Sequence, residues 1–183
     1  MGTIVALAVL GFALGDSKAS DAKGNRTDAL TGHWTRIASP SGLYSLEMPD
    51  GAKTDSISMD LPNGQSMSAP ALEVLTDEAN NFGVIVLELD YAGKGVDALS
   101  LRGGAEGFFT GTKGVMDEFT PTPSALGDAA SFAGRIDGVG GRVRGYAVTK
   151  GLRMLIAYVI VPTKDSAVAD TTIFRIVLSL KAA

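Results

Sequence analysis

The chain has 183 residues, 45% of them apolar and 20% charged, with a formal net charge of −4, one histidine and no cysteine. That length and balance suit one globular domain with a sizeable core, and they exclude disorder, collagen-like repeats and coiled coils. Without cysteine there is no disulfide, thiolate metal site, cysteine nucleophile or lipidated cysteine, and the acidic balance argues against nucleic acid as a partner.

Residues 3–15, TIVALAVLGFALG, form an uncharged apolar run that gives way abruptly to the polar DSKASDAKGNRTD. A run of this length is too short for a transmembrane helix and suits the apolar core of a signal peptide. Ala13 and Gly15, or Ser17 and Ala19, supply small residues for cleavage, although no Lys or Arg precedes the run. The competing reading is a buried first helix or strand. Residues 1–15 are therefore expected to be a signal peptide or short apolar segment, residues 16–32 a flexible linker, and residues 33–183 a single folded domain. Export would place that domain in the extracytoplasmic space, periplasmic or secreted.

Within the domain, LYSLEMP at 43–49 alternates as a strand and is ended by Pro-Asp-Gly. SISMDLPNGQSMS at 56–68 reads as two short strands around the turn Pro62-Asn63-Gly64. ALEVLT and FGVIVLELDY follow, separated by DEANN. In the second, Ile85, Leu87, Leu89 and Tyr91 share one face, while Val84, Val86, Glu88 and Asp90 share the other, which predicts a strand with its carboxylates toward solvent or a rim. Residues 95–116 lack that alternation. Val96, Leu99, Ala105, Phe108 and Phe109 can share a helical face, weakened at Gly103, Gly104 and Gly107 by about 1 kcal/mol each relative to Ala. FTPTPSALGD reads as a connector, and three strands are predicted after it, at 130–136, 142–149 and 152–161. The last segment is a helix with Asp165 as N-cap and Ala169, Ile173, Ile176 and Leu180 on one stripe. The pattern is α+β: an antiparallel sheet with at least two helices packed on it.

DGVGGRVRG, at 137–145, sets four glycines and two arginines before an apolar run. A phosphate cradle needs a helix directly after the glycines. Here an alternating strand follows and turns at Lys150-Gly151, so the segment is a hairpin. With Lys150-Gly151 as the two turn residues, Thr149 faces Leu152, Val148 faces Arg153 and Tyr146 faces Leu155. One face then carries Val143, Ala147, Leu152, Met154, Ile156, Tyr158 and Ile160 as core. The other carries Arg142, Arg144, Tyr146 and Arg153 over aliphatics, a candidate partner-binding face for a protein or an anion. The bland alternative is a face half covered by a helix, with arginine stems lying on apolar surface. Charge segregation has the same two readings. Residues 40–128 hold 14 acids against 4 bases and residues 129–183 hold 8 bases against 3 acids. Such a split marks an anionic partner or, more commonly, strands answering each other across a sheet.

Trp34 near the domain start, LYSLEMP ending in Met48-Pro49, the GVGGR step with Gly138, Gly141 and Arg142, and the ending LSLKA with Ser179-Leu180 together resemble the PsbP-like family. The resemblance spans residues 33–181 and implies a Mog/PsbP-like sandwich. It also implies a non-catalytic protein, because the family is mostly non-enzymatic and brings no catalytic signature. A glycine-rich central helix and a very short loop between the last strands depart from its pattern.

The residues themselves offer little chemistry. A lone His33 at the linker edge rules out a histidine triad or a transition-metal cluster and suits an exposed or end-capping role. Glu88 and Asp90, at i and i+2 on one strand face, form the one carboxylate pair that suggests acid/base work, in a weak hydrolase. Residues 21–28 lack calcium-loop spacing, and Asn25-Arg26-Thr27 is a sequon that matters only in a glycosylating pathway. The sequence thus predicts an exported, non-catalytic accessory or binding protein with no cofactor, no metal and no stable transmembrane span. Its partner would be a protein or an anion. The weak hydrolase and an envelope protein held by an uncleaved N-terminus are the competing readings.

Overall fold

A computed structural model describes residues 28–60, 66–90 and 98–183 of the chain. The apolar run, the linker through residue 27 and the Pro62-Asn63-Gly64 turn lie outside the described residues. Within them the order is α1 (Asp28–Thr31), β1 (Trp34–Ala38), β2 (Tyr44–Pro49), β3 (Lys53–Asp60), β4 (Ser66–Asp77), β5 (Phe82–Asp90) and α2 (Ala98–Gly111). There follow β6 (Val115–Thr122), β7 (Ala129–Ile136), β8 (Gly141–Lys150), β9 (Arg153–Pro162), α3 (Ser166–Ser179) and β10 (Lys181–Ala182).

Seven strands make one antiparallel sheet in the order β3-β4-β5-β9-β8-β7-β6, and a small sheet is ordered β1-β2-β10. The alternation in β5 explains the layering. Ile85, Leu87 and Leu89 face α2, packing with Leu101, Phe108 and Phe109. Val84 and Val86 face the other way, toward Tyr44, Leu46 and Met48 of β2 and Ala169 and Ile176 of α3. Being central, β5 is buried on both faces from Phe82 to Leu89. The large sheet is therefore the middle layer, with α2 on one side and α3 plus the small sheet on the other.

Aromatic packing builds the α2 side. Phe108 stacks on Tyr158 at 4.2 Å between ring centroids, and Phe132 meets both Tyr158 and Phe109 edge to face. Gly145 leaves room for the Phe132 ring, since a Cβ there would collide with its Cε2 and Cζ. This is the close approach that favours glycine inside a strand.

Four sequence expectations change. The helix at 95–116 stops at Gly111, because Lys113 turns left-handed (φ 54°) and the Gly114 N–H donates back to the Phe109 carbonyl at 2.7 Å. Phe119–Thr122 of the supposed connector then belong to β6. Pro121 is tolerated there because β6 is the sheet edge and pairs only with β7. The end of the expected linker forms α1, which buries Leu30.

The fourth change is the β8–β9 hairpin. Lys150 pairs with Arg153, Val148 with Leu155 and Tyr146 with Ala157, so the loop residues are Gly151 and Leu152 rather than Lys150 and Gly151. Gly151 supplies the positive φ (61°) wanted at the first position of such a loop, and Leu152 sits 46% exposed at the tip. The partner shift is two residues. An even shift preserves the faces, so Val143, Met154 and Ile156 still face α2.

Candidate functional site

Arg142 and Arg144 project to the α3 side of β8, as expected, but that side is covered. Tyr146 is buried beneath it with Val148 and Val159. Arg142 donates to Asp117 at 2.7 Å, and Arg135 donates to the other oxygen of the same carboxylate at 2.5 Å. Local geometry explains the sharing. Arg135 and Arg142 lie directly opposite each other on β7 and β8, an arrangement of like charges that destabilises a sheet. A β-bulge between Met116 and Glu118 leaves Asp117 as the extra residue of β6, which re-aims its carboxylate at both guanidinium groups. Arg144 is held by Asp170 of α3 and lies 3.5 Å from Glu118.

Arg153 belongs elsewhere. It pairs with Asp90 at 3.4 Å near the hairpin tip, opposite Lys150. Six strand positions, roughly 20 Å, separate Lys150 from Arg144. The four residues Arg142, Arg144, Tyr146 and Arg153 therefore do not form one open surface. Two line the rim beside α3, one is core, and one is at the far end.

The Glu88/Asp90 pair is split as well. Asp90 is exposed, whereas Glu88 is only 3% exposed. The loop from Ser39 to Leu43 folds over Glu88. Its Oε1 accepts from the hydroxyls of Ser39 and Ser41, both at 2.8 Å, and its Oε2 accepts from the Ser41 N–H at 2.6 Å. Ser39 Oγ in turn accepts the Tyr44 N–H, and Ser41 Oγ accepts the Leu43 N–H. A carboxylate expected at a solvated rim is instead the anchor of the β1–β2 loop. Its oxygens are engaged in holding that loop and do not meet Asp90 as an acid/base pair.

Beside it, Tyr44 is fully buried with a hydroxyl that has no hydrogen-bond partner among the described residues. Burial pushes its pKa up to about 12, helped by the nearby negative charge of Glu88 and by Tyr146. The Lys150 ammonium lies 5.7 Å from the centre of its ring. His33 is exposed and contacts Asp50 at 2.9 Å. The Asp50 carboxyl is held below its ordinary value by the Thr35 hydroxyl and, after a smaller opposing effect of burial, by His33.

The surface feature that sequence reading missed is on α3. Its inner stripe of Ala169, Thr172, Ile176 and Ser179 is buried. Its outer stripe reads Asp170, Phe174, Leu178, with Phe174 62% and Leu178 68% exposed. Ion pairs frame them. Asp170 holds Arg144 at one end. Arg175 lies 4.5 Å over the Trp34 ring and pairs with Glu47 at 3.1 Å. The helix end is fixed too: Arg36 donates to the Ser179 carbonyl at 3.0 Å, and the Ser179 hydroxyl accepts the Glu47 N–H. The i, i+4 spacing of Phe174 and Leu178, out of phase with the inner stripe, was the available signal.

No family model and no curated protein matches the sequence. Among solved structures, cyanobacterial PsbP (CyanoP) from Synechocystis is similar over 92% of this chain and 100% of its own, with a TM-score of 0.58 and 10% identity. A protein of unknown function from Pseudomonas aeruginosa, described as a putative regulator, covers 76% of this chain and 90% of its own at 15% identity and a TM-score of 0.39. The fold is PsbP-like, an α+β arrangement of antiparallel sheets and packed helices.

Proposed function

We propose that this PsbP-like chain is an exported accessory protein that acts by binding a protein partner through the outer face of α3, and not by catalysis. The carrying observation is the exposed Phe174–Leu178 pair, a small apolar centre ringed by the Arg144–Asp170 and Arg175–Glu47 pairs. Apolar centres inside polar rims are the usual anatomy of a protein interface. Burying what these two side chains leave exposed is worth about 1–2 kcal/mol each, together on the order of a hundredfold in Kd. The arginines favour a protein over a free anion, because Asp117, Glu118 and Asp170 already neutralise them. The commitment of Glu88 to the Ser39–Ser41 loop supports the non-catalytic reading.

The test is affinity capture from the extracytoplasmic fraction of the native host, comparing wild type with Phe174→Ser/Leu178→Ser. The double variant should keep its melting temperature and lose the captured protein. Equal capture by both would refute this surface as the binding site.

A further inference from the structure

We infer that β3 is an open docking edge: it takes up an extended segment of a protein partner as a further antiparallel strand, and it selects one with a basic residue opposite Asp55 and an acidic residue opposite Lys53. The inference is independent of the outer face of α3, a helix that packs against β8 and β9.

The two edges of the large sheet differ. β6 carries the bulge at Asp117 and a proline at position 121, which are devices that keep an edge strand from joining other chains. β3 carries neither. Its eight residues pair with β4 in unbroken register, and among the described residues no strand pairs on its other side. Lys53 to Ser58 are exposed, apart from the half-buried Ile57. The direction of the free backbone groups follows from Ser56. Its N–H donates to Asp55 Oδ1 at 2.7 Å, and its partner on β4, Pro70, has no N–H to give. Ser56 and Pro70 therefore form a non-hydrogen-bonded pair, which turns the Ser56 N–H and C=O to the open side. Alternation turns those of Thr54 and Ser58 the same way. The complement of such a row of donors and acceptors is the backbone of an extended chain.

Side chains decide which chain. Lys53, Asp55 and Ile57 share the α2 face of the sheet with their β4 partners Glu73, Ala71 and Ala69. Burial and the negative charge of Asp55 hold the Glu73 carboxyl above its ordinary value, against the pull of Lys53. A basic side chain opposite Asp55 supplies the positive charge that this corner lacks, and an apolar one opposite Ile57 extends the cover of the core. Asp55 also makes the edge selective. In the free protein its carboxylate occupies the Ser56 N–H that an incoming strand needs. A basic side chain opposite gives the carboxylate another partner and frees that N–H. An acidic one leaves it capped. An antiparallel occupant therefore reads, from its N-terminus, apolar, any, basic, any, acidic.

The probe is the peptide acetyl-Thr-Val-Thr-Lys-Thr-Glu-amide, which sets Val opposite Ile57, Lys opposite Asp55 and Glu opposite Lys53. It is compared with the same peptide after exchange of Lys and Glu, and with two N-methylated forms. Methylation of the Thr between Val and Lys removes the N–H that faces Ser56, whereas methylation of the Lys removes one that points away. Titration into the isotope-labelled full chain is followed by amide NMR. The first peptide should bind at least about tenfold more tightly than the exchanged one, because two attractive cross-strand pairs become repulsive. It should shift the amides of Thr54, Ser56 and Ser58. Methylation of that Thr should abolish binding and methylation of the Lys should not. In Lys53→Asp/Asp55→Lys, with an unchanged circular dichroism spectrum, the preference between the two charge patterns should reverse. The peptide comparisons need no variant of the protein. Absence of binding at millimolar peptide, equal affinity for the two patterns, indifference to which N–H is methylated, an unchanged preference in the folded double variant, or shifts away from β3 would each overturn the inference.

Discussion

Replacing Glu88 tests whether its carboxylate anchors the β1–β2 loop. In Glu88→Leu, three donors lose their acceptor: the Ser39 hydroxyl, the Ser41 hydroxyl and the Ser41 N–H. The hydroxyls can rotate, but the backbone N–H cannot. An unsatisfied buried donor costs about 1–3 kcal/mol, partly offset because a buried carboxylate no longer has to be desolvated. The net loss should be about 3 kcal/mol, or roughly 6–12 °C in Tm for a domain of this size. Glu88→Gln should behave differently. Its oxygen can take the place of Oε2 and accept the Ser41 N–H, while its amide donates to the two serine oxygens, which accept as readily as they donate. The network is then rewired and not broken, and the loss should stay within about 1 kcal/mol. Urea unfolding followed by circular dichroism measures both variants, with m-values checked for constancy. If Gln proves as damaging as Leu, the negative charge itself matters and the hydrogen-bond argument fails. If Leu is harmless, the loop is not held by Glu88 at all.

Arg142→Ser/Arg144→Ser should cost about 1–2 kcal/mol, from lost stem packing and partly screened pairs with Asp117 and Asp170, whereas Val143→Asp, one position away on the α2 face, should unfold the domain. Thermal melts of the two variants decide it, and the reverse ranking would put the register off by one. Tyr44→Phe removes a hydroxyl that has no partner among the described residues, so stability at pH 7 should be unchanged or rise by up to about 1 kcal/mol. The same variant bears on alkaline stability. Tyrosine in the unfolded chain ionises near pH 10 while Tyr44 in the folded state holds its proton to about 12, so wild-type stability is intact below pH 10 and falls as pH rises through that window. Unfolding titrations should show that fall weakened in Tyr44→Phe, and identical profiles would argue against the burial. Intact mass of the protein from its native host should give a chain starting between residues 16 and 21, and recovery of the full chain from the cytosol would remove the export reading.

Much of the fold was legible because it depends on local pattern. Period-two alternation in FGVIVLELD and in the segments after Gly141 marks strands in any context. The stripe through Ala169 and Ile176 marks an amphipathic helix in the same way. The parity of Val143 against Arg142 and Arg144 placed them on opposite faces, and that survived a hairpin register wrong by two residues. The antiparallel α+β class followed from these elements, and the resemblance built on Trp34, Met48-Pro49 and Ser179-Leu180 led to the PsbP-like fold.

Tertiary structure decided what each exposed-looking residue is for. Alternation says that Glu88 and Arg144 point away from one core, but not that a second layer waits on the other side. Glu88 reads as a solvated carboxylate until Ser39 and Ser41, nearly fifty residues earlier, fold over it. Arg142 reads as free until a bulge in β6 aims Asp117 at it. That bulge lies in a strand obscured by Pro121, whose edge position makes it harmless. Phe174 and Leu178 are the converse case, apolar residues off the Ala169–Ile176 stripe that the packing of α3 leaves outside. Periodicity reports which residues share a face. Only the assembled layers determine which faces are covered, because coverage comes from segments distant in the chain.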